Sequence, residues 1–137
     1  MWPFFINKIK ALKKTESLKN TNQFRSVYTS GKSHADKYLV MYVLDNKTDR
    51  NRFGISVSKK VGNSVVRHHL CRLLRESYRL HEDMFDSGLD IAVVVRKGTD
   101  SCSFHEIERS LIHLAKIHHI YKETNDEKNN DSDDQTV

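Results

Sequence analysis

The residues of this chain best suited to chemistry lie between positions 58 and 79, in SKKVGNSVVRHHLCRLLRESYR. Laid on a helix at about 100° per residue, Val66, Leu70, Leu73 and Leu74 gather on one side. His68, Arg72, Arg75 and Arg79 gather almost opposite, with Cys71 at the edge of their stripe and only Glu76 diluting it. Solvated helices usually mix charge signs on their polar face, so an unmixed basic stripe points to an anionic partner. Lys59 and Lys60 precede the helix, and Gly62 and Asn63 supply a turn with exposed N–H groups. Cations beside a helix N-terminus form a phosphate site. The chemistry implied is recognition of a polyanion by an α/β domain that binds RNA or DNA. An idle basic face is the plainer alternative.

His68, His69 and Cys71, with the distant His105, His113, His118 and His119, invite a metal reading. Adjacent histidines diverge by about 100° on a helix, and neither His68 nor Cys71 has a second ligand at the four-residue spacing that zinc sites use. His118 and His119 are expected to complement a helix dipole. No metal site and no catalytic side chain is expected in the protein. A protein-only metallonuclease would also need clustered carboxylates, and the acidic C-terminal tail has the composition of a disordered segment that does not supply them.

Charge separates by segment. Residues 123–137 hold six acids, one lysine and no aromatic residue, a net −5, so the whole chain's +5 becomes +10 over residues 1–122. A tail of that composition cannot bury enough apolar surface to order itself. Ten excess positive charges on a small domain imply nucleic acid or an acidic membrane. The 137 residues suit one domain, here residues 17–122, flanked by a flexible extension (1–16) and the acidic tail (123–137). Two cysteines without CxxC spacing fit a reduced, cytoplasmic protein. The opening MWPFFINKIKALKK lacks the charge order of a secretory signal, and no stretch reaches the roughly 18 apolar residues of a span. Binding of an acidic membrane through Trp2–Phe5 is a lesser alternative.

The elements that position the basic stripe follow from periodicity. Thr21–Gly31 reads as a helix capped by Thr21 or Asn22, with Phe24 and Tyr28 on one face. Lys37–Asp45 and Arg52–Ser58 read as strands joined as a hairpin by NKTDRN, and Asp90–Lys97 as a third strand. Asn63–Arg79 and Ser103–Tyr121 are the other helices, the last opened by a capping box of Ser103 and Glu106. The order is α-β-β-(β)-α-β-α, an α+β fold.

Alternation along the strands puts Leu39, Met41, Val43, Phe53, Ile55 and Val57 on one greasy face. The other face carries Tyr38, Val40, Tyr42 and Leu44 beside Gly54, Ser56 and Ser58. That second face is either covered in the ordinary way or a shallow groove whose rings stack single-stranded bases.

RFGISVSKKVGNSVVRHHLCRLLRESYR resembles the signature of the protein subunit of bacterial ribonuclease P, roughly R-x-G-x-S-V-S-K-K-x-G-N-A-V-x-R-N-R-x-K-R-x-x-R. The likeness extends through LKNTNQFRSVYTSGKS, YLVMYVLDN and DIAVVVRKG, covering about residues 17 to 120. It implies a two-layer α/β sandwich, ribosomal-protein-like, with a left-handed β-α-β crossover against the usual preference. It implies an accessory subunit of an endoribonuclease, one protein per ribonuclease P RNA. That RNA, with Mg²⁺ bound mainly by RNA, removes the 5′ leader of precursor tRNA. Phe24, Tyr28 and Tyr42 match the family's leader cleft. Lys59, Lys60, Asn63, Arg67, Arg72 and Arg75 match its basic motif, to which the helical stripe adds His68 and Arg79. No membrane partner is implied.

The chain departs from the pattern where Arg-Asn-Arg-x-Lys-Arg becomes Arg67-His68-His69-Leu70-Cys71-Arg72, and where the usual alanine is Ser64. Two permanent charges give way to a titrating ring and a nearly neutral thiol, so RNA affinity is expected to be weaker and more pH-dependent. A non-catalytic RNA-binding module or RNA chaperone shares the stripe and the aromatic cleft. Preference for leader-bearing over mature tRNA separates the two.

Overall fold

A computed structural model describes residues 15–122. The expected N-terminal extension, apart from Thr15 and Glu16, and the acidic tail lie outside the described residues. The elements are β1 (Thr15–Ser17), α1 (Thr21–Ser30), β2 (Lys32–Ala35), β3 (Leu39–Asp45), β4 (Asn51–Ser56), α2 (Ser64–His81), β5 (Leu89–Val95) and α3 (Phe104–Ile117), with a 3₁₀ turn at Glu82–Met84. One five-stranded sheet runs β1-β4-β5-β3-β2. The β1–β4 and β4–β5 pairs are parallel, whereas β5–β3 and β3–β2 are antiparallel. The mixed α+β fold and the β-α-β unit through α2 agree with the sequence. The expected domain start at residue 17 falls inside β1.

The expected hairpin does not form. β5 lies between β3 and β4, and both pair with it rather than with each other. Apolar on both faces, with Ile91, Ala92 and Val93 fully buried, β5 belongs at the centre of the sheet. The connecting loop is tied to it: Asn46 Nδ2 donates to Asp90 Oδ1 at 2.9 Å, and Asn46 N–H to the Gly88 carbonyl at 2.9 Å. Alternation within β3 and β4 sets their faces but says nothing of which strand stands beside them. The short strands β1 and β2 lack any apolar run, and periodicity does not register them.

The greasy face lies under α2 and α3. Leu39, Met41, Leu70, Leu74, Ile91, Val93, Ile107, Leu111 and Leu114 are all sealed from solvent. Each such side chain contributes about 1.5–3 kcal/mol by burial. Tyr78 of α2 anchors one end, stacked on Phe53 at 4.3 Å with its hydroxyl 2.8 Å from Thr15 Oγ1. That bond ties β1 to α2 across the sheet's edge. The opposite face holds a smaller cluster of Leu18, Val27 and Ala92 under α1.

Helix ends differ from expectation in two places. The N-cap of α1 is Asn20, whose side chain accepts the Gln23 N–H at 2.9 Å, rather than Thr21 or Asn22. The last helix stops at Ile117 instead of Tyr121. His119 takes a left-handed φ of 62°, and Ile120 turns inward to donate its N–H to the Ala115 carbonyl at 3.1 Å. His118 therefore does not serve the dipole as a cation. Its Nε2 donates to the Met41 carbonyl at 2.9 Å, and burial holds its pKa below the ordinary value, which keeps the ring neutral.

Candidate nucleic-acid interface

The α1 side of the sheet is organised in rows. Strand register aligns Gly54 with Ala92, Ala92 with Tyr42, and Tyr42 with Ser33. The next row is Ser56, Val94, Val40 and Ala35. α1 lies over the first row because its residues are small enough to admit it: Val27 packs against Ala92, and Phe24 sits above Gly54. A Cβ on Gly54 would meet the Phe24 ring at 2.5 Å and the Leu18 Cβ at 2.8 Å. Glycine is thus required here for close approach. The second row remains half-exposed, an uncovered shelf beside the helix.

Of the three aromatics singled out from the sequence, Phe24 and Tyr28 line a groove of about 350 Å³ together with Lys19, Asn20, Thr21 and Ser56. Their rings stand 6.0 Å apart. Tyr42 is half-buried on β3 and meets the Tyr28 ring edge-on at 4.8 Å. Tyr28 hydrogen-bonds Ser56, and burial pushes its phenol up despite that bond.

The cations gather where the parallel strands end. Lys59 and Lys60 follow β4, and Arg96 and Lys97 follow β5, all four exposed. Ser56 is three residues before Lys59, so groove and lysines are within about 10 Å along the chain. Val61 tucks into the core and turns the chain, its N–H donating to the Ser58 carbonyl at 3.1 Å. Asn63 then caps α2, its side chain accepting the Val66 N–H at 3.0 Å.

Along α2, His68, Arg72 and Arg75 are exposed as the stripe requires. Arg67 is half-buried, and its Nε is enclosed without a hydrogen-bond partner among the described residues. Arg79 is also half-buried and pairs with Glu76. Burial pushes the Cys71 thiol up, while Arg75 and Arg67 pull the other way. A raised pKa lowers the thiolate fraction at neutral pH. His69 is exposed. Arg96, Lys97, Lys19 and Gly54 were not singled out as site residues from the sequence. The run of two cations directly after the β5 strand was the available signal for the first two.

A ring-walled groove with cations and a helix N-terminus a few residues further along the chain can stack unpaired bases while neutralising their phosphates. The family model described as Ribonuclease P matches residues 12–119. The chain belongs to the ribonuclease P protein family. It is 56% identical over 115 residues to the Ribonuclease P protein component of Lachnoclostridium phytofermentans, covering 84% of this chain and 99% of that one. Identity to the Clostridioides difficile component is 44% over 104 residues, covering 75% and 91% of the two chains. Among solved structures, the Staphylococcus aureus RNase P protein aligns with a TM-score of 0.72 at 34% identity, covering 77% of this chain and 97% of that one. The Thermotoga maritima protein aligns with a TM-score of 0.69 at 30% identity, covering 74% and 96%. Membership in the ribonuclease P family makes tRNA processing the chain's role and RNA its partner. Among the described residues no helix is long and apolar enough to cross a membrane.

Proposed function

We propose that the chain binds a catalytic ribonuclease P RNA through α2 and grips the 5′ leader of precursor tRNA in the groove under α1. It thereby assists endonucleolytic removal of the leader. The observation that supports this reading is the Phe24–Tyr28 groove, lined by Ser56 at the end of β4, with the exposed Lys59 and Lys60 and the α2 N-cap Asn63 following a few residues along the chain. Leader bases stack on the rings, and their phosphates meet the lysines. Arg72, Arg75 and His68 contact the RNA subunit along the exposed stripe. Arg67 and Arg79, being half-buried, act in part by shaping that surface.

Bond cleavage belongs to the RNA in this reading. Among the described residues no three His, Cys, Asp or Glu side chains come together as a metal-ligating group. In this reading Mg²⁺ is held mainly by the RNA, as the family likeness implies, and no step is routed through a protein side chain. One protein per RNA, acting in the cytoplasm, completes the proposal.

The test is cleavage of precursor tRNA at low Mg²⁺ by the organism's own ribonuclease P RNA, with and without the protein. Restored 5′ cleavage, with tighter binding of leader-bearing than mature tRNA, is expected. Equal binding of the two tRNAs and no rescue would overturn the reading in favour of a general RNA-binding module.

A further inference from the structure

On the other side of the sheet, α3 and the β2–β3 turn enclose a second pocket of about 440 Å³, lined by Asp36, Tyr38, Glu106, Arg109, His113 and Lys116 among others. Its volume falls in the range of small-ligand sites, roughly 300–1,000 Å³. The two carboxylates are occupied by the fold. Asp36 Oδ1 accepts the N–H groups of Tyr38 and Leu39 at 2.8 and 2.9 Å, and its Oδ2 accepts the Ser110 hydroxyl at 2.5 Å. Glu106 completes the capping box with Ser103 and accepts the Tyr38 hydroxyl at 3.3 Å.

The cations are differently placed. Arg109, His113 and Lys116 follow one another at helical spacing along the same flank of α3. Arg109 and His113 are exposed and make no hydrogen bond or ion pair among the described residues. Lys37 stands 5.2 Å from the centre of the Tyr38 ring, and Arg96 donates from its guanidinium to the Asp36 carbonyl at 2.6 Å. Arg96 follows β5 at the end of the sheet where Lys59 and Lys60 also lie. The positive rim of the leader groove therefore continues round that end to the pocket.

We propose that this pocket takes a single nucleotide of an RNA strand, its phosphate on the Arg109 guanidinium beside His113 and its base against Tyr38 and Ile112. A guanidinium fork matches phosphate geometry, and an aromatic wall beside it accepts a base without sequence preference. The chain then holds RNA on two faces, and this second contact does not depend on the leader reading.

The experiment is an amide-shift NMR titration of the full chain with AMP, inorganic phosphate and an adenylate tetranucleotide at constant ionic strength. Saturable shifts at Tyr38, Arg109 and His113 are expected with AMP, at least tenfold weaker with phosphate and tighter with the tetranucleotide. Arg109→Ala should weaken them about tenfold, as should His113→Ala, a second surface change that leaves the core intact. Tyr28→Ala should leave them in place while removing shifts around the leader groove. Absence of saturable shifts on α3, equal response to phosphate and AMP, tighter binding of AMP than of the tetranucleotide, or indifference to Arg109→Ala would each overturn the proposal.

Discussion

Replacing Gly54 by alanine tests whether the space over β4 is what seats α1. The added Cβ would lie 2.5 and 2.9 Å from two atoms of the Phe24 ring and 2.8 Å from the Leu18 Cβ. The ring is the far end of a movable side chain, whereas the Leu18 Cβ is fixed to β1's continuation, so the ring yields first. Overpacking of this kind costs about 1–3 kcal/mol, and for a domain of about 100 residues that lowers Tm by roughly 5–15 °C. Displacing Phe24 also removes one stacking wall from the groove. Loss of one base–ring contact, about 1–3 kcal/mol, would reduce discrimination between leader-bearing and mature tRNA roughly 5- to 150-fold. The assays are thermal melting and binding of the two tRNAs by the reconstituted holoenzyme. In the Gly54→Ala/Phe24→Ala double variant, part of the stability should return while leader preference stays lost, because the ring that clashed is also the ring that stacks. Strictly additive Tm losses, or a Gly54→Ala protein with undiminished leader preference, would refute the link between this glycine and the groove.

Three further outcomes are expected. Restoring permanent charge with His69→Arg and Cys71→Lys should steepen the salt dependence of RNA affinity by about 0.7–0.9 in log–log slope per new phosphate contact, read from filter binding across a salt series. Stability should fall as pH drops through about 6.5, since the His118 pKa is depressed below its ordinary 6.5 when folded and the unfolded chain takes the proton first. His118 faces His34 and Lys32 from β2, its neighbour His119 and the Met41 carbonyl, and His118→Gln should flatten the urea midpoint between about pH 7.5 and 5.5 while keeping a donor to that carbonyl. Deleting residues 123–137, which carry a net −5, should raise affinity for non-specific RNA and leave it steeper in salt.

The sequence was most legible where one residue's side chain has a single physical role. Apolar spacing identified Val66, Leu70, Leu73 and Leu74 as the buried or half-buried side of α2, and the capping box at Ser103 and Glu106 forms as read. The stripe of His68, Arg72 and Arg75 is exposed for the same reason: nothing apolar competes for that side of the helix. Legibility was lower where placement depends on what else a side chain meets. Arg79, read as part of the basic stripe, is half-buried and pairs with Glu76 one turn earlier. His118 has the sequence context of a dipole-capping cation, yet a carbonyl on β3 makes it a neutral donor. The β3–β4 hairpin was misread because a short polar linker fits both a hairpin and a step across one intervening strand.

That intervening strand bears on how the two proposed RNA contacts are divided. With β5 in the middle, Ala92 separates Gly54 from Tyr42, and the proposed leader groove is walled by α1, the turn before it and the end of β4. The stripe proposed to meet the RNA subunit is carried by α2 alone, on the opposite face of the sheet. The departures from the family pattern at His68, His69 and Cys71 all fall on α2, and none reaches the groove. Affinity for the RNA subunit can therefore drift with these residues while the groove's rings and its required glycine stay as they are. A chain altered in this way should lose holoenzyme affinity before it loses leader preference. Measuring the two separately, RNA-subunit binding in a salt series and leader preference at saturating RNA subunit, distinguishes this from a general weakening that would lower both together.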